Sequence, residues 1–422
     1  MRSLLIFLFF IYISQNFYSQ NIFIKNLSNI DLKDKPIIIE RSKLKNIPTK
    51  EPYYPIITDE ENNLIPSQLD DIDEDGKWDN LFFVIDLKPK SKKILKYKWV
   101  YEKPNYILRT NVRFGKRDGK NLPVTMRLED TLYADKVHAA LGYQPYQTDG
   151  PMWENDKVGF RHYFDGRNAK DLFGKKVSYI TPDTVGINKN KEVVDNYHVM
   201  AEWGRDILAV GNSVGLGGYG LIINDTLARV GIVAGTKRNN IEKSIFKILS
   251  KGPVHTIMKF THINWQVAKD RTYNVKEITE IWPGMYAYKN TVTISNLKGD
   301  EKLFVGLPKL NTEKPIKQIE PNKEFIVLYT HDKQTYEKQW YLGMALILPR
   351  KYFLSTGKSP DEGNVSKTYY AVLKIKNNVP INYFAVGCWE LSDENFKNEE
   401  YFENYLINLA NQLSINLKIK VK

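Results

Sequence analysis

Two stretches of the chain gather the side chains that could do chemistry. The first, GYQPYQTDGPMWENDKVGFRHYFDGRNAKDLFGK (142–175), holds Trp153, Glu154, Asn155, Asp156, Arg161, His162, Tyr163, Arg167, Asn168 and Asp171. The second, NYHVMAEWGRD (196–206), adds Tyr197, His198, Glu202, Trp203, Arg205 and Asp206. This mixture suits sugar recognition: aromatic faces cover the apolar side of a pyranose, while forked guanidinium and amide donors grip hydroxyl and carboxylate oxygens. Taken singly, each residue has a plain structural reading, Trp and Tyr as strand core and Arg beside Asp as an ion pair. Their concentration is what points to a site. In an extended strand Phe160 and His162 face one way and Arg161 and Tyr163 the other, which sets a guanidinium beside a phenol.

Other motifs carry less. Asp71, Asp73, Asp75, Gly76 and Asp79 in DIDEDGKWD place oxygens at alternate positions, as the opening of a calcium loop does, but the twelfth position is Phe82, which cannot ligate. A tight Asp-Gly turn between PSQL and LFFVIDL accounts for the same residues; the alternative is a structural calcium on Asp71, Asp73 and Asp75, and no other cofactor is expected. GNSVG (211–215) has the form of a serine nucleophile elbow and GLGGYG (215–220) that of a dinucleotide loop. Both need a following helix, whereas YGLIINDTLARVGIV is β-branched and alternating, so a glycine turn or a close backbone approach is expected. His138, His162, His198, His255, His262 and His331 show no HxH or HExxH spacing, and the single Cys388 permits neither a cysteine zinc site nor an internal disulfide.

The elements that must position these residues read as strands nearly everywhere. The runs at 81–87 and 94–100, separated by KPKSKK, suggest a hairpin, and the same texture recurs at 206–210, 219–223, 227–233, 256–262, 286–294, 341–348 and 369–375. Without alternating helices, the expected fold class is all-β, an antiparallel β-sandwich or supersandwich. One helix stands out near the end, with Phe402, Leu406, Leu409 and Leu413 on one face. Residues 130–147 read as a short helix or an ordered loop. A soft boundary over 101–122 divides a small N-terminal β-domain or first sheet (21–105) from a large β-sandwich domain (106–422) that carries the site.

Composition bounds the setting. The 422 residues include 26 Tyr, 19 Phe and 8 Trp, too aromatic for a disordered chain, and the mean hydropathy of -0.43 excludes a polytopic membrane protein. Arg2, an apolar run from Leu4 to Ile13 and the small residue Ser19 form a secretory leader over 1–20, with no lipoprotein cysteine after it. The expected location is therefore periplasmic or secreted, with no membrane association after cleavage. Net charge is +12; export argues against nucleic acid as partner, and the lysines are dispersed, as in KPKSKKILKYKW, leaving an anionic saccharide. Oligomeric state is open at this stage.

At GPMWENDKVGFRHYFDGRN, YHVMAEWG and VGNSVGLGG, and again at LIPSQLDDIDEDGKWDNLFFVIDL and WELSDENF, the chain resembles the DUF4861 family, exported proteins common in polysaccharide-utilisation loci of Bacteroidetes. The family is similar to an oligosaccharide dehydratase of ulvan breakdown. The resemblance thus implies a carbon-oxygen lyase that removes water from a non-reducing-end uronate of an anionic oligosaccharide and leaves a 4,5-unsaturated residue. Such a reaction needs the carboxylate neutralised, a base at C5 and an acid for the 4-hydroxyl. Arg161, Asn155 and Arg167 are the candidates for neutralisation, His198 and Tyr163 for base and acid, with His162 in reserve. Trp153 and Trp203 are the candidate sugar platform, and Glu154 and Asn168 line the substrate. Two rivals remain: a non-catalytic saccharide-binding protein, and a glycoside hydrolase using two of Glu154, Asp156, Asp171 and Glu202.

Overall fold

Alternating apolar residues build antiparallel strands along almost the whole chain, and a computed structural model describes them over residues 20–49 and 52–422. The leader read over 1–20 lies, except for Gln20, outside the described residues. Near the N-terminus a five-stranded sheet runs in the order Lys418–Val421, Gln20–Lys25, Lys92–Val100, Tyr54–Thr58, Leu64–Ile65. A three-stranded sheet of Leu32–Glu40, Asn80–Leu87 and Ser67–Asp70 packs on it. The C-terminal strand thus returns to complete the first sheet.

The two runs expected to form a hairpin across KPKSKK lie in different sheets. Leu81, Phe83 and Ile85 meet Leu95, Tyr97 and Trp99 in one core, so the runs bury faces against each other, and the lysine-rich link crosses between layers. The Asp-Gly turn does join its expected strands, with Asp70 opposite Asn80.

The rest of the chain is built around a nine-stranded antiparallel sheet, whose longest strands are Ile241–Lys251, Thr256–Ala268 and Arg271–Ile281. Two five-stranded sheets accompany it. One runs Gly204–Asp206, Lys170–Lys175, Val158–His162, Met152–Asn155, Thr110–Arg113 and carries the first candidate stretch. The all-β sandwich expected from the sequence is the fold found. Residues 130–147 hold the strand Glu129–Tyr133 and one helical turn, His138–Leu141, stopped by Gly142 at φ 69°. The helix Glu399–Ser414 is capped by the Asn398 side chain, which accepts from Tyr401 N at 3.1 Å, and buries Phe402, Leu406 and Leu409. Among the described residues no helix is long and apolar enough to cross a membrane.

The glycine-rich 211–220 segment leads into the strand Tyr219–Ile223, with no helix after it. Gly215, at φ 77°, bridges to Lys170, and a Cβ there would stand 1.8 Å from the Lys170 carbonyl oxygen. Glycine is needed because two backbones touch.

Candidate functional site

Strand register decides which of the candidate residues meet. Met152, Arg161 and Asp171 lie opposite one another across three neighbouring strands, and Phe173 lies opposite Asp206. These side chains share the face that the 176–203 segment covers with Tyr197 and Trp203. The other face, with Trp153, Phe160 and Leu172, enters the main core.

On the covered face Arg161 is buried and ringed by acids. Its Nη2 donates to Tyr163 Oη at 2.7 Å and to Asp206 Oδ2 at 2.7 Å, and also pairs with Asp171; its Nη1 reaches Asp149 Oδ2 at 3.5 Å. Tyr163 Oη donates to Asp171 Oδ2 at 2.7 Å. The Tyr163 ring sits between two guanidiniums, with Arg161 Cζ 4.4 Å and Arg167 Cζ 3.7 Å from its centroid. Arg167 also pairs with Asp165 at 2.5 Å and approaches Asp149 at 3.7 Å. His198 stands at the rim, 48% exposed, with Nε2 3.9 Å from Asp206 Oδ2.

Crowding of acids around one cation shifts their protonation. Burial and the neighbouring Asp171 carboxylate push Asp206 up to about 8, and burial pushes Asp149 up to about 6 against the pull of Arg161. Burial, helped by Arg161, holds His198 below its ordinary 6.5. At neutral pH a protonated carboxyl therefore faces a neutral imidazole. Burial raises the Tyr163 phenol well above 10.

Several candidates from the sequence fall elsewhere. Trp153 is fully buried and meets Tyr288 edge to face at 5.4 Å, so it cannot receive a sugar. Trp203 is buried against Phe173 at 6.2 Å. Asn155 donates to the backbone oxygens of Trp282 and Met285 at 2.8 and 2.7 Å and fixes a turn. Glu154 is paired with Lys175 at 2.6 Å inside the protein. His162 and Asn168 belong to the core face: Asn168 Oδ1 meets His162 Nε2 at 3.1 Å, and Lys170 Nζ lies 3.0 Å from His162 Nδ1 and 2.6 Å from Glu277. Burial and Lys170 hold His162 well below 6.5, so it is neutral and sealed from substrate.

Two contributors went unnoticed in the sequence. Asp149 lies in a turn where Thr148 and Asp149 both take positive φ, 52° and 60°; the TDG tripeptide was the available signal. Tyr336, 57% exposed, stands with its ring 6.4 Å from that of His198 at 82°. Its backbone N–H donates to Ile207 O at 2.8 Å, which ties its loop to the residue after Asp206. The loop sequence HDKQTYEKQW carries no pattern that announces this.

Among the described residues two groups could hold a cation: Asp71, Asp73 and Asp79, and His138, Asp149 and Asp165, each offering atoms within 4.8 Å of one another. In the first, Asp79 takes the place expected for Asp75, whose Oδ1 accepts from Lys77 N at 2.7 Å. In the second, the Arg167 guanidinium stands 2.5 Å from Asp165 and 3.7 Å from Asp149.

Fold and site together define an all-β protein with a buried arginine–carboxylate cluster open at one rim. The chain belongs to the DUF4861 family, a domain of unknown function whose model matches residues 24–419. Uncharacterized protein P7 of Formosa agariphila is 24% identical over 383 residues, 85% of this chain and 82% of the relative. Two solved structures from Enterococcus faecalis, a protein in glycosyl hydrolase family 38 and an alpha-mannosidase, align over 96% of this chain at 10% identity with TM-scores of 0.49 and 0.48. The chain spans about half of each, 47% and 46%.

Proposed function

We propose that the protein is an exported dehydratase that removes water from a non-reducing-end uronate of an anionic, ulvan-type oligosaccharide. The observation that carries this is the pairing of Asp206 with His198 at 3.9 Å, an acid that keeps its proton to about pH 8 beside an imidazole that is free of one. His198 takes the C5 hydrogen as a proton. The C5–H electron pair becomes the C4–C5 double bond, the C4–O bond breaks, and Asp206 supplies the proton with which the hydroxyl leaves as water. Base and acid on one side of the ring suit loss of hydrogen and hydroxyl from the same face.

Arg161 acts one step back. Buried, with both Nη atoms held by Tyr163 and the carboxylates and only Nε left without a partner, it sets the positions of those acids and is no receptor for the substrate. Arg167 is the better partner for the uronate carboxylate: it is 25% exposed, and its Nη1 has no hydrogen bond among the described residues. The protonated Asp206 also lowers the negative charge that an acidic sugar meets.

Family membership supports the carbohydrate class through the resemblance stated above. The deciding experiment incubates the protein with uronate-terminated oligosaccharides and follows mass and ultraviolet absorbance. Loss of one water without chain scission, with the absorbance of a conjugated double bond, is expected. Chain shortening with gain of water would replace the lyase by a hydrolase, and unchanged ligand would leave a binding protein.

A further inference from the structure

Away from the Asp206 cluster, a cleft of about 460 Å³ opens between the N-terminal sheets and the turn that links the strands Ile241–Lys251 and Thr256–Ala268 of the nine-stranded sheet. Its size is within the range of small-molecule sites, roughly 300–1,000 Å³. Tyr54 and Tyr106 give it aromatic walls, with Tyr53 buried behind them against Trp99, and Lys103 and Lys251 stand exposed at its edge. Among the described residues no acidic side chain lines it, and neither lysine has an ionic partner. In this it is the reverse of the Arg161 cluster, where acids crowd one cation.

The walls are fixed from behind by Gln68. Its Oε1 accepts from Val254 N at 3.0 Å and His255 N at 2.9 Å, and its Nε2 donates to Asp70 Oδ1 at 2.6 Å and Ser250 Oγ at 2.7 Å. Arg109 N and Thr110 N donate to Pro253 O at 2.8 and 3.1 Å, which ties the segment after Tyr106 to the same turn. A cleft held this way binds without paying to order its walls.

We propose that this cleft is a second saccharide site, which takes an acid-bearing sugar unit with its ring against the tyrosines and its carboxylate or sulfate oxygens on Lys103 and Lys251. Unpaired cations beside aromatic faces select an anionic ligand with an apolar side. The choice of a saccharide over other such anions rests on the function proposed above. The site would hold a long acidic polymer while its end is processed elsewhere.

The test is calorimetry on the chain made inactive by Asp206→Asn, with three probes of equal length: a glucuronate-terminated oligosaccharide, a sulfated oligosaccharide without uronate, and a neutral one. Each of the two acidic probes that binds identifies its own anion as a ligand. The added double change Lys103→Ala/Lys251→Ala, and separately Tyr106→Ala, is expected to weaken binding at one class of site about tenfold or more. In the otherwise native chain the same changes leave turnover of a short substrate and the melting temperature as they were. Binding equal to that of the parent in both variants overturns the proposal, as does a neutral probe that binds as tightly as the acidic ones. Cleft binding by a protein that forms no unsaturated product sinks the dehydratase reading and leaves this site standing.

Discussion

The Asp206 carboxyl group lies 3.9 Å from His198 Nε2 and 2.7 Å from Arg161 Nη2, so one acid links an exposed imidazole to a buried cation. That position gives it its chemistry. Burial and Asp171 keep the proton on Asp206 up to about pH 8, while His198 sheds its own below 6.5. The rate constant kcat/KM should therefore be level between the His198 limb and about pH 8, fall at lower pH as His198 gains a proton, and fall at higher pH as Asp206 loses one. Asp206→Asn and His198→Gln should each lower kcat about a hundredfold or more. Profiles that keep their alkaline limb in residual Asp206→Asn activity would assign the acid to another group.

Strand parity made half of this cluster legible. Alternation sets Arg161 and Tyr163 on the face opposite to Phe160 and His162, and the structure keeps that division. Parity could not say which face meets solvent, because both are covered: one by the nine-stranded sheet, the other by the 176–203 segment. An exposed face would make Trp153 a sugar platform; the covered one makes it core. Asp149 and Asp206 stand 12 and 45 residues from Arg161, and only the pairing of strands and one strained turn bring them to it. No spacing within the sequence encodes that meeting.

Under the proposed function, Tyr336 is the aromatic face that a sugar can reach, as the buried Trp153 and Trp203 are not. Its ring is exposed at the rim, while Asn311 Nδ2 donates to the oxygens of Thr335 and Tyr336 at 2.7 and 3.1 Å and holds the loop. Loss of an aromatic face costs about 1 kcal/mol of stacking, so Tyr336→Ala should raise KM about fivefold with kcat little changed, and Tyr336→Phe should restore it. Steady-state kinetics checks this. A fall in kcat at constant KM would mean that Tyr336 acts on His198 and not on the sugar.

His255 ties the N-terminal three-stranded sheet to the nine-stranded sheet. It stacks on Phe82 with centroids 3.9 Å apart, its Nδ1 lies 2.8 Å from Asp70 Oδ2, and Glu280 stands 3.5 Å from its Nε2. Burial opposes its charge, but the Asp70 and Glu280 carboxylates outweigh burial and raise it to about 9. A folded value above the ordinary 6.5 means stability that is complete below about pH 6.5 and lost as pH rises through 9. The amount is about 3 kcal/mol. Glu280, held near 2 against burial by His255 and Lys289, gives the opposite limb: its share is present above about 4.5 and lost as pH falls toward 2. Denaturant unfolding at pH 6.5 and 9.5 should show the alkaline loss, and His255→Gln should abolish that pH dependence while lowering stability at neutral pH by about 3–5 kcal/mol, since two buried acids lose their partner.

Gly215 offers a test of whether the backbone contact behind the site matters beyond conformation. Gly215 and Gly235 share nearly the same φ, 77° and 84°, but a Cβ on Gly235 meets nothing within 4 Å, whereas one on Gly215 would press on Lys170 N and O at 2.6 and 1.8 Å. Gly235→Ala should thus cost only the left-handed penalty, about 1 kcal/mol. Gly215→Ala must also push the Lys170–Lys175 strand aside, and about 3 kcal/mol or more is expected. Because Lys170 holds Glu277 at 2.6 Å on one face and its neighbour Asp171 holds Tyr163 on the other, the displaced strand should carry Asp171 away from Arg161 and lower kcat as well as stability. Melting temperature and kcat measured on both variants separate the two effects: equal losses in both would reduce Gly215 to a matter of φ alone.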